Sequence, residues 1–244
     1  MPTVHPQVQK ARDLVPLIAA ASDENDEIRE LTKPVVKALI DGGFFTMLKT
    51  KSMGGMELKP SIFAQVTEAL ANADGSTGWV VCQSNGCSTT SAYLHPNIAQ
   101  EIFGRPDGIV AWGPPGSPYE ATPVEGGYRI TGKWRFMSGS QNATWLGAHL
   151  RVAGTKETKT FLYPKSSATF HDICHTLGLR GTATYHDFDA PNRTVRVRSG
   201  AFYTATGTAH VGTNEPARQT AIARLPKWLE RRRDEHWNRI SYKI

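Results

Sequence analysis

The sequence predicts an α+β fold, with helices in the first part of the chain and an antiparallel sheet after them. Two observations predict this order. Up to about residue 94 the apolar residues recur at helical spacing, and from Ile109 onward they fall into short runs separated by turn residues. A third observation bounds the size. The 244 residues, 39% hydrophobic and 20% charged, suffice for one large or two modest domains, with no internal repeat or low-complexity segment.

The helices come first. Val8, Leu14, Val15, Leu17 and Ile18 form one stripe, and Leu31, Val35, Val36, Leu39 and Ile40 form the next. Gly42-Gly43 ends that second helix, because glycine accepts the left-handed geometry past a helix end without a Cβ clash. Ser61 is the expected cap of a third helix over residues 62 to about 73, which Asp74-Gly75 breaks. Residues 76–94 resume as a helix made largely of small side chains, which admit either a neighbouring backbone or a flat ligand.

After His95-Pro96 and one short helix, the pattern changes. Ile109-Val110-Ala111-Trp112 is a short apolar run, GPPGSP is a loop, and Glu125-Gly126-Gly127-Tyr128 is a hairpin turn between strand-like segments. Further strands are expected at residues 144–152, 159–163, 169–174 and 182–188. The expected boundaries are a helical domain over 1–104, a β domain over 105–190 and a basic, irregular segment over 191–244.

Composition excludes several classes. The opening MPTVHPQVQK lacks the basic start and apolar stretch of a secretory signal. No run approaches the roughly 18 apolar residues that cross a bilayer. A cytoplasmic protein without a membrane partner is the expectation. Cys82, Cys87 and Cys174 are read as reduced thiols, and no metal-ligand spacing is present. The net charge of +6 is concentrated in the tail: from Asp187 onward 11 Lys and Arg face 6 Asp and Glu, and the rest of the chain is nearly neutral. A solvated surface segment accounts for that tail, and nucleic acid is not expected as a partner.

Residues 132–145, GKWRFMSGSQNATW, raise a separate question. As a strand, the segment would place Trp134, Phe136 and Ser138 on one face. Two large rings and a hydroxyl side by side are not ordinary strand filler.

The motif order GGFFTML, SMGGMELKP, ALANADGSTGW, GPPGS, GGYRITGKWRFMSG and LGLRGTATYHDF resembles the acyl-CoA dehydrogenase superfamily over residues 6–188. Within it the chain is similar to the flavin-dependent monooxygenases that hydroxylate aromatic and related substrates. The resemblance implies an N-terminal helical domain and a β-barrel-like middle domain around a flavin, FMN or FAD, supplied reduced by a separate flavin reductase. It implies that Ser138 hydrogen-bonds near flavin N5 and that Phe136 and Trp134 wall the ring. Gly139, Trp112 and Gly113 are the other implied cofactor contacts, and Ser84, Asn85 and Cys87 fall where substrate contacts are expected. Phe136 stands where the dehydrogenases carry tryptophan, which favours the hydroxylase branch.

The chemistry makes these residue types reasonable. A reduced flavin that meets oxygen wastes it as peroxide unless water is excluded and N5 is held, tasks suited to aromatic rings and a hydroxyl. Cys87 is read as packing rather than a catalytic thiol, Trp79 as core, and Gly178 and Gly181 as conformational. No acid/base residue is assigned.

The resemblance also implies a C-terminal helical bundle that builds a homo-oligomer. After Phe188 this chain continues instead with the basic segment that contains WLERRRDEHW, with one amphipathic piece near residues 221–237, so the expectation is a truncated family member. Two alternatives stay open. An acyl-CoA dehydrogenase using FAD would bleach its flavin with acyl-CoA alone, and a non-catalytic remnant or binding module would show salt-dependent binding to duplex nucleic acid.

Overall fold

A computed structural model of the chain describes residues 4–113, 120–124, 127–130, 133–134, 136–171, 176–183, 187–189 and 193–195. Most of the tail beyond residue 190, including residues 221–237, lies outside them, as do the GPPGSP loop after Gly113 and Glu125-Gly126 of the hairpin turn.

The helices are α1 (Pro6–Ala20), α2 (Ser22–Ile28), α3 (Lys33–Asp41), α4 (Pro60–Ala73), α5 (Gly75–Ser88) and α6 (Pro96–Phe103). In α1 the buried stripe runs through Val8, Ala11 and Ile18. Leu17, expected in that stripe, is exposed, because it lies about 100° of helical rotation from Ile18. Helix α3 ends as expected: Gly43 takes a φ of +74° and the Phe44 N–H donates to the Leu39 carbonyl at 2.9 Å.

Helix α4 starts at Pro60, with Lys59 at the cap and Ser61 already inside the first turn. The fixed φ of proline suits the first helical position and moves the boundary upstream of the expected serine cap. Between α4 and α5 the chain extends at Asp74, whose carboxylate accepts from Ser76 N at 3.2 Å, Thr77 N at 2.9 Å and Thr77 Oγ1 at 2.6 Å. This is an N-cap of standard type for α5.

Helix α5 stops at Ser88 rather than running to residue 94, and residues Thr89–Ala92 tighten into a 3-10 turn. Ser88, Thr89 and Thr90 donate their hydroxyls to the carbonyls of Asn85, Gly86 and Cys87, at 2.8, 2.7 and 2.7 Å. Three successive bonds to the residue three places back draw the backbone into the tighter turn. Among the described residues no helix is long and apolar enough to cross a membrane.

The strands are β1 (Val110–Trp112), β2 (Glu120–Val124), β3 (Gly127–Ile130), β4 (Lys133–Trp134), β5 (Trp145–Val152), β6 (Thr158–Pro164), β7 (Thr169–His171), β8 (Asp187–Asp189) and β9 (Arg193–Val195). They build an open six-stranded sheet in the order β1-β5-β2-β3-β9, with β6 also on β5, and a three-stranded sheet in the order β4-β8-β7. The expected antiparallel barrel-like arrangement is therefore corrected to an open sheet of mixed direction. Both β1 and β2 pair parallel with β5, β1 with Trp145, Leu146 and Gly147 and β2 with Arg151 and Val152. Residues 110–112 and 120–121 thus follow β5 in its own direction, and strand direction is not encoded in an alternating apolar pattern.

Hydrogen bonds tie the helices to the β segment. Asn25 Nδ2 donates to Asp74 Oδ2 at 3.2 Å, Gly181 N donates to Ser76 Oγ at 3.1 Å, and Gly139 N donates to the Thr182 carbonyl at 2.8 Å. Gly181 sits where space is tight: a Cβ there would lie 3.0 Å from Asn25 Cβ and 3.1 Å from Ser76 Cβ, so a larger residue would push its neighbours by a few tenths of an ångström. These bonds set the start of α5, the turn at residues 180–182 and the Ser138-Gly139 turn against one another.

Candidate active site

A cleft of about 710 Å3 opens between α5, β1, β5 and the turns at Phe136–Ser138 and Thr176–Thr182. That volume lies within the range of small-molecule and cofactor pockets, ~300–1,000 Å3. Helix α5 contributes Trp79, Gln83, Gly86 and Cys87, spaced i, i+4, i+7 and i+8 and so on one face. The two glycines of α5 show the two uses of small residues. A Cβ on Gly78 would lie 2.5 Å from Ala71 Cβ on α4, whereas one on Gly86 meets nothing within 4 Å and points into open space. Gly78 permits helix packing, and Gly86 leaves room in the cleft.

The opposite wall is built by β1 and β5. Trp112 stands opposite Gly147 in the register, and its indole covers that glycine: a Cβ there would meet Trp112 Cε3 at 2.6 Å. Two residues along β5, on the same face, His149 meets the Trp112 ring edge-on, with centroids 5.7 Å apart and planes at 80°. Thr160, directly across the β5–β6 pair, holds His149 Nδ1 through its hydroxyl at 2.7 Å. Burial pushes the imidazole below the ordinary histidine range, because the charged form loses water.

The third wall is the Phe136–Ser140 turn. Ser138 is buried, and Trp79 Nε1 donates to its hydroxyl oxygen at 3.0 Å. Phe136 has a φ of +58° and is 51% exposed at the mouth of the cleft. Leu179, which also lines the cleft, has a φ of +55°, and Ala183 just beyond has +48°. Non-glycine residues held in the left-handed region cost of order 1–3 kcal/mol each and collect at functional sites. Three of the five such residues described here flank this cleft.

The sequence expectations separate on this geometry. Ser138, Phe136, Trp112, Gly113 and Cys87 all line the cleft. Gly139 sits behind it with a φ of +79°, packed over Val80 and Ser84. Trp134 does not share the face of Phe136 and Ser138: it is only 3% exposed and packs toward Tyr163, with ring centroids 6.4 Å apart. The left-handed turn at Phe136 interrupts the alternation that would have aligned all three. Ser84 is buried under Gly139, off the cleft. Asn85 is fully buried, donating Nδ2 to the carbonyls of Phe44 at 2.7 Å and Val81 at 2.8 Å and accepting from Leu48 N at 3.1 Å. It is a strut between α5 and the Phe44–Leu48 loop.

Cys87 faces the cleft, but burial raises its thiol to about 12. Its reactivity gives a direct check, since the thiolate is the nucleophile. At pH 8, iodoacetamide alkylates the half-buried Cys82 well before Cys87, read by peptide mass spectrometry. Equal rates would contradict this burial.

Trp79, Gln83, Gly86 and His149 are cleft residues that the sequence reading did not select. Trp79, expected from the sequence to be core, is 42% exposed. The helical stripe through Trp79 and Cys87 carried the signal for the first three. His149, the polar residue in the apolar run LGAHL, carried only a weak one.

No protein-family model matches the chain. It is 30% identical over 178 residues to the flavin-dependent monooxygenase oxygenase subunit HsaA of Mycobacterium tuberculosis, a match covering 70% of this chain and 44% of that protein. It is 27% identical over 184 residues to the FADH(2)-dependent resorcinol hydroxylase oxygenase component of a Rhizobium species, covering 72% of this chain and 44% of that one. The crystal structure of the HsaA monooxygenase from M. tuberculosis superposes with a TM-score of 0.76 at 27% identity, over 87% of this chain and 57% of that one. The chain thus spans less than half the length of the curated relatives it matches.

Proposed function

From homologues that are flavin-dependent monooxygenases, we propose that the cleft binds a reduced flavin and a small organic, aromatic substrate, as the oxygenase side of a two-component system fed by a separate flavin reductase. The observation that carries this reading is the meeting of Trp79, Trp112, Phe136 and the Ser138 hydroxyl on one cleft. The residues present fit a flat, polar-edged ring. Aromatic side chains stand on more than one side, open space lies over Gly86, and a buried hydroxyl is oriented by an indole N–H.

Bound reduced flavin supplies the activation of dioxygen and the transfer of one of its oxygen atoms to the substrate. The chain supplies the surroundings. Trp112 and Trp79 cover the walls and Phe136 covers the mouth, which keeps water from the reacting centre. Ser138 would hold the ring through its hydroxyl, whose direction Trp79 sets through the 3.0 Å bond to its oxygen. The positive φ of Phe136 lifts its ring out of the core, where the preceding Trp134 remains, and into the cleft.

Anaerobic titration of the purified chain with oxidised and reduced FMN and FAD, followed by fluorescence, tests this reading. Saturable binding with a preference for the reduced form is expected, and absence of binding to either flavin in both redox states overturns it. Ser138→Ala is expected to retain the fold, since the partly exposed Trp79 indole can turn to water. With a reductase and a phenol supplied, the variant should raise the ratio of peroxide to hydroxylated product about tenfold, the weight of one buried hydrogen bond. An unchanged ratio would remove Ser138 from this role.

A further inference from the structure

Among the described side chains that line the cleft, His149 and Cys87 are the titratable ones, and Cys87 stays a neutral thiol. No charged carboxylate, lysine or arginine is among those lining residues. The cleft therefore suits an uncharged ring, and a polar group on that ring needs a neutral hydrogen-bonding partner. His149 has the form of such a partner. Its Nδ1 is committed to Thr160 at 2.7 Å, its ring plane is fixed edge-on to Trp112, and Nε2 has no partner among the described residues. One nitrogen anchored by a buried cross-strand hydroxyl, with the ring held by an aromatic neighbour, fixes the direction of the other nitrogen.

We propose that His149 is the specificity-determining polar contact of the cleft, its Nε2 hydrogen-bonding the hydroxyl of a phenol-type ring. This rests on the reading of the cleft as an oxygenase pocket. A neutral imidazole can accept from a phenol O–H, or donate to the phenol oxygen, according to which tautomer the Thr160 contact selects. The surroundings keep it neutral. On its own face of β5 the next residue is Arg151, whose charge is engaged by Glu120 at 2.8 Å. On β6 Lys159, next to Thr160, points to the other face, and on β1 the contact is the Trp112 ring. From α5 the titratable group is Cys87.

Phenol and toluene, nearly equal in shape but differing in the hydroxyl, are the probes, titrated by calorimetry into the 244-residue chain without flavin. The wild type is expected to bind phenol about tenfold more tightly than toluene. His149→Phe is expected to bind the two equally, and His149→Gln, whose amide restores a donor and an acceptor, to recover part of the preference. A preference kept in His149→Phe, or absent in the wild type, overturns the proposal. Ring 15N shifts in the wild type give a reading independent of whether a variant folds: phenol should move the His149 Nε2 resonance and leave Nδ1 nearly in place, and an unmoved Nε2 overturns the proposal. Flavin titrations on the same samples separate the two readings. If phenol selection by His149 holds while no flavin binds, the oxygenase reading falls and the histidine contact stands. If flavin binds equally to wild type and His149→Phe while neither selects phenol, the reverse follows.

Discussion

Gly86→Trp is expected to lower flavin affinity more than a hundredfold while leaving the thermal midpoint within a few degrees of wild type. The reason is geometric. The position lies on the cleft face of α5, and a Cβ placed there meets no atom within 4 Å, so an indole enters the cleft instead of the core. The helix itself gains, because glycine in a helix interior costs ~1 kcal/mol relative to alanine. Gly86→Ala serves as the control: it should raise the stability by up to that amount and change flavin affinity little. Fluorescence titration and calorimetric melting check both variants. Unaltered flavin binding in Gly86→Trp would place the ligand somewhere other than this cleft.

Asn85→Ala is expected to cost about 4 kcal/mol of folding stability, the sum of buried partners left unpaired at ~1–3 kcal/mol each. The side chain is fully buried, and its removal strands the Leu48 N–H and the Phe44 carbonyl. The loss is a large share of the ~5–15 kcal/mol by which a domain is stable. Urea unfolding should show the midpoint falling with little change of slope, and flavin affinity per folded molecule should hold. A substrate contact at this position, as expected from the sequence, would do the opposite, weakening substrate binding and sparing the fold.

The two neighbours in sequence, Asn85 and Gly86, differ because a helix turns about 100° per residue. The composition of residues 76–88 made α5 a helix with unusually small side chains, but which stripe faces the cleft depends on where β1 and the 180–182 turn pack. Ser84 and Asn85 look like polar site residues in the chain, and tertiary packing places them against Gly139 and the Phe44–Leu48 loop. His149 illustrates the reverse case. Its place in an apolar run marks it only weakly, and only the β5–β6 register brings Thr160 opposite it.

By itself the sequence determined the succession of helices and then strands, the helix stop at Gly43 and the break at Asp74-Gly75, because periodicity and the conformational freedom of glycine are local properties of a few neighbouring residues. Only the tertiary structure decided the parallel pairing of β1 and β2 with β5, the parting of Trp134 from Phe136, and the gathering of Trp79, Gly86, His149 and Ser138 around one cleft. Those depend on strand direction, on a single left-handed residue at Phe136 and on the rotational setting of α5, all fixed by contacts between residues far apart in the chain.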